Sequence, residues 1–143
     1  MKKDTLYILY VEDNDINRSL FQSAINRYGD QHVVHSVVNA HEALQHLSVI
    51  TYDIIFIDLH LRGSDAPIEP IFTKWLNSSE SGESVIRYCF DKGIEKTSKV
   101  IVCTASNLQA DDLVSKYGFS LLKLVKPFTT ERLIKIINDS LAS

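Results

Sequence analysis

The chain has 143 residues, of which 45% are hydrophobic and 23% charged, a length and composition that suit one soluble domain with its own core. Its formal net charge is −3 and no basic run follows Lys2-Lys3, which argues against a nucleic-acid-binding surface. No apolar run is long enough to cross a bilayer and the two cysteines lack metal-ligand spacing, so we expect a cytoplasmic protein with reduced thiols and no membrane partner.

Leu6–Val11 is the first predicted strand. A helix is expected to begin after Asn14, whose side chain can accept from a free amide of the first turn, and to end at Gly29. Apolar residues recur at a spacing of four along this helix, which predicts a face that packs on the rest of the domain. The residues assigned to that face are Ile16, Leu20, Ala24 and Tyr28.

His32–Val38 is the second predicted strand and Asp53–Asp58 the third. Between them Asn39 and Glu42 resemble a capping box, which predicts a helix that begins at this point. The apolar residues expected to line this helix are Ala43, Leu44 and Leu47.

After a long connection, a third helix is predicted to end at Gly93. Lys99–Thr104 is the fourth predicted strand, and Asn107 is expected to cap a helix that ends near Gly118. The apolar residues that mark the third helix are Val85, Ile86, Cys89 and Phe90.

Ser120–Val125 is the fifth predicted strand, and Thr129 is expected to cap the last helix. The inner face of that helix is assigned to Leu133, Ile134, Ile137 and Leu141. Five apolar strands that alternate with five helices predict an α/β fold, a doubly wound parallel sheet with helices on both faces. Ligands of such sheets bind at the carboxyl ends of the strands.

Polar residues follow four of the predicted strands, namely Glu12-Asp13, Asp58, Thr104-Ala105 and Lys126-Pro127. Three carboxylates at one sheet edge repel one another and raise each other's pKa values, and a bound divalent cation removes that repulsion. Mg²⁺ suits such a site, with Mn²⁺ as the alternative, because it binds a few carboxylates and keeps water or phosphate oxygens as its other ligands.

Asp58 is the residue in this group with the clearest chemical role. A cation and Lys126 beside it would leave its carboxylate ionised and nucleophilic, able to accept a phosphoryl group. Thr104 could then donate a hydrogen bond to a phosphoryl oxygen.

The segments "VEDN", "FIDLH", "VCTAS" and "LVKPF", in this order and on these elements, resemble the receiver domain of two-component response regulators. The resemblance runs from about Leu6 to Leu141, and the chain is similar to stand-alone, chemotaxis-type receivers, so we expect a single receiver domain over residues 1–143. It implies a flavodoxin-like sheet with strand order 2-1-3-4-5 and an extended loop after strand three.

The resemblance also implies a role for each site residue. Asp58 matches the phospho-acceptor, Thr104 the switch hydroxyl and Lys126 the lysine that pairs with the phosphate. The expected metal ligands are Asp13 directly, Glu12 mainly through water, Asp58, and His60 through its backbone carbonyl. The family usually has a cis peptide before the proline that is Pro127 here.

Two features depart from the family pattern. Lys123 stands where the family usually has an aromatic side chain that changes rotamer on activation, which puts such a mechanism in doubt. The family also has a shorter loop before the glycine that opens its third helix. Gly82 is the matching glycine, so residues from about 63 to 80 include an insertion of roughly fifteen residues.

The insertion carries the only tryptophan of the chain, Trp75. Its apolar residues Ile71, Phe72, Trp75 and Leu76 are expected to pack back on the domain. The alternative is a lid beside Asp58 or a contact with a partner protein, since exposed apolar groups often mark interfaces.

The resemblance implies a phospho-accepting switch and no enzyme beyond its own phosphoryl transfer and autodephosphorylation. Its expected partners are a histidine kinase or histidine phosphotransfer protein and a downstream protein that reads the face formed by helix four, strand five and helix five. A homodimer is left open. The alternatives are a degenerate receiver that serves as an interaction scaffold and, less favoured, an aspartyl-phosphate phosphatase, because His60 stands where that chemistry wants a second acid.

Overall fold

The computed structural model describes residues 4–61, 63, 66–76 and 81–142. Five parallel strands form one sheet in the order β2-β1-β3-β4-β5, which confirms the doubly wound, flavodoxin-like topology. The strands are β1 Tyr7–Val11, β2 Val33–Val37, β3 Ile54–Asp58, β4 Lys99–Thr104 and β5 Leu121–Val125. The helices are α1 Asp15–Tyr28, α2 Ala40–Leu47, α3 Gly82–Asp91, α4 Asn107–Tyr117 and α5 Thr130–Ala142. Two short 3₁₀ turns lie at Pro70–Phe72 and Ile94–Lys96.

Alternate residues of each strand contribute to two separate cores, one on each face of the sheet. In β3, Ile55 and Ile57 pack with α2, α3 and α4, whereas Ile54 and Phe56 pack with α1 and α5. Every residue of β3 is buried, because both faces of this central strand are covered. The uninterrupted apolar runs in the sequence follow from this double coverage.

The buried face of α1 differs from the predicted one. Ile16 and Leu20 are 69% and 64% exposed, whereas Phe21, Ala24 and Ile25 are buried. Each four-residue step advances about 40° around a helix, so a series of such steps drifts away from the face on which it starts. The prediction was therefore wrong for the first half of the helix.

Most of the predicted helix ends are confirmed. The side chains of Asn14, Asn39 and Thr129 accept hydrogen bonds from first-turn amides of their helices. Gly29 and Gly118 end α1 and α4 by donating to carbonyls of the last turn.

Two other expectations are wrong. Ser106, and not Asn107, caps α4, with its hydroxyl accepting from the amide of Gln109 at 3.2 Å. On α5, Ile136 packs against the core in place of Ile134, beside Leu133.

The described part of the insertion packs on the domain. Phe72, Trp75 and Leu76 are buried in the core that α2 and α3 share, and the indole N–H of Trp75 donates to Asp91 at 2.8 Å. Ile71 does not join them and is 69% exposed. The packing expectation is thus confirmed for three of the four residues, while positions 62, 64–65 and 77–80 lie outside the described residues.

Gly82 lets the start of α3 approach the end of β3. Its amide donates to the carbonyl of Leu59 at 3.1 Å. A Cβ at position 82 would lie 2.1 Å from the carbonyl oxygen of Asp58, far inside van der Waals contact. Only glycine fits here, which explains why a glycine follows the long insertion.

We expect Gly82→Ala to lower the free energy of unfolding by about 1–3 kcal/mol or more, because backbone atoms of β3 must move to admit the methyl group. Gly118→Ala is the control, since its φ of 89° is strained for alanine but no atom lies within 4 Å of the new Cβ. Urea unfolding should show the larger loss at Gly82, and equal losses would contradict the close-approach explanation.

We expect Trp75→Ala to destabilise the protein by about 3–5 kcal/mol, the usual loss for a large buried aromatic side chain. Ile71→Ala in the same segment should change stability by less than about 0.5 kcal/mol, since this residue is exposed. Thermal and urea unfolding measure both variants. A small effect at Trp75 would mean that the insertion does not belong to the core.

Candidate functional site

The candidate site lies at the carboxyl ends of β1 and β3. These neighbouring strands form the switch point of the sheet, where the strand order reverses. Glu12 and Asp13 follow β1, and Asp58 ends β3. Carboxylate oxygens of these three residues lie within 4.8 Å of one another, the one such group of potential metal ligands among the described residues. The structure thus brings together the three predicted acids.

Lys126 reaches this cluster from the end of β5. Its backbone amide donates to the carbonyl of Thr104 at 2.8 Å, which fixes the start of the side chain at the end of β4. Its ammonium lies 2.6 Å from Glu12 Oε1 and 3.4 Å from Asp58 Oδ1. The Lys126–Pro127 peptide is cis, as the resemblance implied.

Four donors of the protein hold the Glu12 carboxylate. It is 1% exposed and accepts hydrogen bonds from the Tyr10 hydroxyl at 3.2 Å, the Asn17 amide side chain at 3.2 Å and the Asn14 backbone amide at 3.3 Å, besides Lys126. Its oxygens are therefore largely committed to the protein, whereas Asp13 is only half-buried.

Asn17 and Tyr10 are the residues that sequence reasoning missed. Asn17 lies in the first turn of α1, so its side chain can reach back to the strand end that precedes the helix. Tyr10 lies two residues before Glu12. Side chains alternate along a strand, so residues two apart point to the same side, and this spacing could have predicted the contact between them.

The electrostatics of the two buried acids differ. Burial raises the pKa of Asp58 to about 6, and the nearby Glu12 charge adds to this effect while Lys126 opposes it. Burial also acts to raise the pKa of Glu12, but the hydrogen bond and charge of Lys126, together with hydrogen bonds involving Asp58 and the Asn14 amide, outweigh it and the pKa is lowered. The positive charge of Lys126 therefore stabilises the ionised Glu12 carboxylate more than the Asp58 carboxylate, and the charge of Asp58 is only partly balanced.

Thr104 ends β4, one position beyond Cys103, the register partner of Asp58. It is buried, and its hydroxyl accepts a hydrogen bond from the backbone amide of Ser106 at 3.1 Å. The hydroxyl is therefore placed in the strand next to Asp58 and is joined to the residue that caps α4.

His60 follows Asp58 by two residues, and its backbone amide lies 3.4 Å from Asp58 Oδ1. Its imidazole turns toward α4, where Nε2 lies 3.3 Å from Gln109 Oε1. His32 and His35 have structural partners instead, the amide of Leu6 and the hydroxyl of Tyr52.

Neither a known family model nor a curated protein matches this chain. Solved structures do. The receiver domain of a sensor histidine kinase from Pseudomonas aeruginosa PAO1, which has a magnesium ion coordinated in its active site cleft, is 24% identical, with a TM-score of 0.73 over 97% of this chain and 99% of that one.

Two response regulators are also similar in structure. The regulator TrrA from Thermotoga maritima, in complex with Mg²⁺ and a beryllium fluoride, is 22% identical, with a TM-score of 0.71 over 94% of this chain and 97% of that one. A chemotaxis response regulator of Vibrio cholerae is 18% identical, with a TM-score of 0.71 over 94% and 98% of the two chains. The chain has the receiver-domain fold over nearly its whole length. Among the described helices, none is long and apolar enough to cross a membrane.

In protein free of divalent cations, we expect Asp58→Asn to raise the free energy of unfolding at pH 8 by about 1–3 kcal/mol. The folded-state pKa of Asp58 is raised to about 6, so folding favours the protonated acid. The contribution of the protonated Asp58 carboxyl group to stability is present at low pH and is lost as the pH rises through 6. Asparagine carries no charge at any of these pH values, so the variant does not lose this stability. The gain should shrink toward pH 4.

Urea unfolding at a series of pH values measures this difference. Asp139→Asn, at an exposed acid on α5, is the control and should change stability by less than about 0.5 kcal/mol at every pH. An Asp58→Asn variant that is no more stable than the parent at pH 8 would contradict the incomplete compensation of this carboxylate.

Proposed function

We propose that this protein is a phospho-accepting switch of a two-component phosphorelay, in which Asp58 receives a phosphoryl group from a histidine kinase or histidine phosphotransfer protein. The observation that carries the proposal is the cluster of Glu12, Asp13 and Asp58, two of them buried, with Lys126 against it, at the switch point of a receiver fold.

The donor set of the cluster fits Mg²⁺. Carboxylate oxygens of three residues lie together here, Lys126 pairs with two of them, and such oxygen ligands are those that a hard cation prefers. Asp13 and Asp58 would bind the ion directly, the His60 carbonyl would add a ligand, and Glu12 would act through water because its oxygens already accept from the protein. The bound ion would neutralise charge on the phosphoryl group as it transfers.

Asp58 performs the bond-forming step in this mechanism. One of its oxygens attacks phosphorus, the bond from phosphorus to the donor's imidazole nitrogen breaks, and that nitrogen keeps the electron pair. Lys126 then pairs with a phosphoryl oxygen, for which it is already placed 3.4 Å from Asp58. Thr104 donates its hydroxyl to another phosphoryl oxygen, and hydrolysis of the acyl phosphate later resets Asp58.

Two exposed apolar surfaces suit protein partners on either side of this edge. Leu20 on α1 lines a cavity of about 620 Å³ between α1 and α5 that Lys126 also lines, and Ile16 is exposed one turn before it, which suits this surface to the phosphodonor protein. Leu108 on α4 and Phe119 before β5 are exposed on the face that a downstream partner would read.

A phosphorylation-independent scaffold is the second candidate: the phosphorylation residues are all present, which argues against it, while Lys123 and the insertion leave it open. The two candidates differ in whether Asp58 is modified. The phosphatase alternative gains no support, because the imidazole of His60 contacts Gln109 and no carboxylate stands in its place.

We expect Mg²⁺ with acetyl phosphate, a small phosphodonor, to add the mass of one phosphoryl group to the intact protein. Asp58→Asn should abolish the gain, and Lys126→Ala should reduce its rate by about 10-fold or more, since a charge at the transferring group is lost. Asp139→Asn should behave as the parent. Intact-mass spectrometry over time measures all four proteins.

No mass gain with this donor in the presence of Mg²⁺, together with no binding of Mg²⁺ by calorimetry, would contradict the proposed function and favour the scaffold. A gain that survives in Asp58→Asn would place the phosphoryl group on another residue.

A further inference from the structure

The first turn of α4 is tied to the candidate site at two points. Ser106 donates its backbone amide to the Thr104 hydroxyl at 3.1 Å and caps the helix through Gln109. The side chain of Gln109 contacts His60, two residues after Asp58. These contacts connect Thr104 and the end of β3 to the start of α4.

The same turn is tied a third time, from β5. The ammonium of Lys123 donates to Asn107 Oδ1 at 2.8 Å and to Asp111 Oδ1 at 2.5 Å, so it bridges the first two turns of α4. Lys123 is 39% exposed and Asp111 52%, so this bridge is open to water and of modest strength. It holds α4 against β5 without contacting the acid cluster.

We propose that Lys123 is a positioning residue, an inference that rests on the proposed function. Its bridge to Asn107 and Asp111 holds α4 in the unphosphorylated arrangement and thereby opposes phosphorylation of Asp58. When Thr104 turns to a phosphoryl oxygen, it moves the hydroxyl oxygen to which the Ser106 amide donates, and Asn107 is the next residue in the chain. The α4 turn then moves away from Lys123. A bond that exists mainly in one state shifts the equilibrium toward that state.

This role gives a signed prediction for two substitutions of opposite charge. Lys123→Gln removes a positive charge and Asp111→Asn a negative one, yet both abolish the ion pair between Lys123 and Asp111 that strengthens the bridge. In excess Mg²⁺, each should raise the apparent affinity for beryllofluoride, which mimics the phosphoryl group, by about 1.5- to 5-fold, the range that an exposed ion pair supplies. The double variant should gain no more than either single variant.

Lys116→Gln is the matched control. It breaks another exposed bridge of α4, from Lys116 to Glu83 at 2.8 Å, but at the last turn of the helix. It should leave the affinity for beryllofluoride unchanged. Unchanged affinity in both bridge variants, or changes of opposite sign that follow their charges, would overturn the proposal.

Amide hydrogen exchange tests the restraint without any phosphoryl mimic. In the unphosphorylated protein, the backbone amide hydrogens of Gln109 and Ala110 should exchange about 1.5- to 5-fold faster in Lys123→Gln and in Asp111→Asn than in the parent. Lys116→Gln should leave these exchange rates unchanged. Equal exchange in all proteins would overturn the restraint. Failure of the parent to bind beryllofluoride would instead contradict the proposed function, which this exchange experiment does not require.

Discussion

Two buried carboxylates that share one ammonium are the constraint on which the rest of the site depends. Lys126 lies closer to Glu12 than to Asp58, and three further donors hold Glu12. Asp58 is 6% exposed and is left with the weaker share. A buried carboxylate whose negative charge is only partly balanced is stabilised by binding a proton or a metal ion, or by forming a bond to a phosphoryl group.

The fold supplies this arrangement through the sheet. Parallel strands deliver Glu12, Asp58, Thr104 and Lys126 to one edge, and the register of β1, β3, β4 and β5 keeps them there. Gly82 allows α3 to start against the carbonyl of Asp58, so the long insertion before it does not disturb the strand end. Its buried aromatic residues instead extend the core between α2 and α3. The segment that departs most from the family pattern is thus packed as part of the core where it is described.

The strand ends could be predicted from the sequence because apolar runs that stop at a charge mark them directly, and the gathering of Glu12, Asp13, Asp58 and Lys126 followed from parallel topology. The buried face of α1 could not be predicted, because apolar residues spaced by four are compatible with two neighbouring faces of a helix. Which of those faces is buried depends on how the helix packs on the sheet. The exposure of Ile16 and Leu20 shows this. The partners of Lys123 could not be predicted either, because α4 is capped one residue earlier than predicted, at Ser106, and the rotation of the helix sets which side chains meet β5.

The pKa of the Asp58 carboxyl group, measured by ¹³C NMR in protein labelled at aspartate, tests this account most directly. In protein free of divalent cations the account predicts titration near pH 6, with assignment by Asp58→Asn. In excess Mg²⁺ the same resonance should titrate well below that pH, because the ion competes with the proton. An ordinary value near 4 without metal, unchanged when Mg²⁺ is added, would contradict both the shared-ammonium constraint and the proposed metal site.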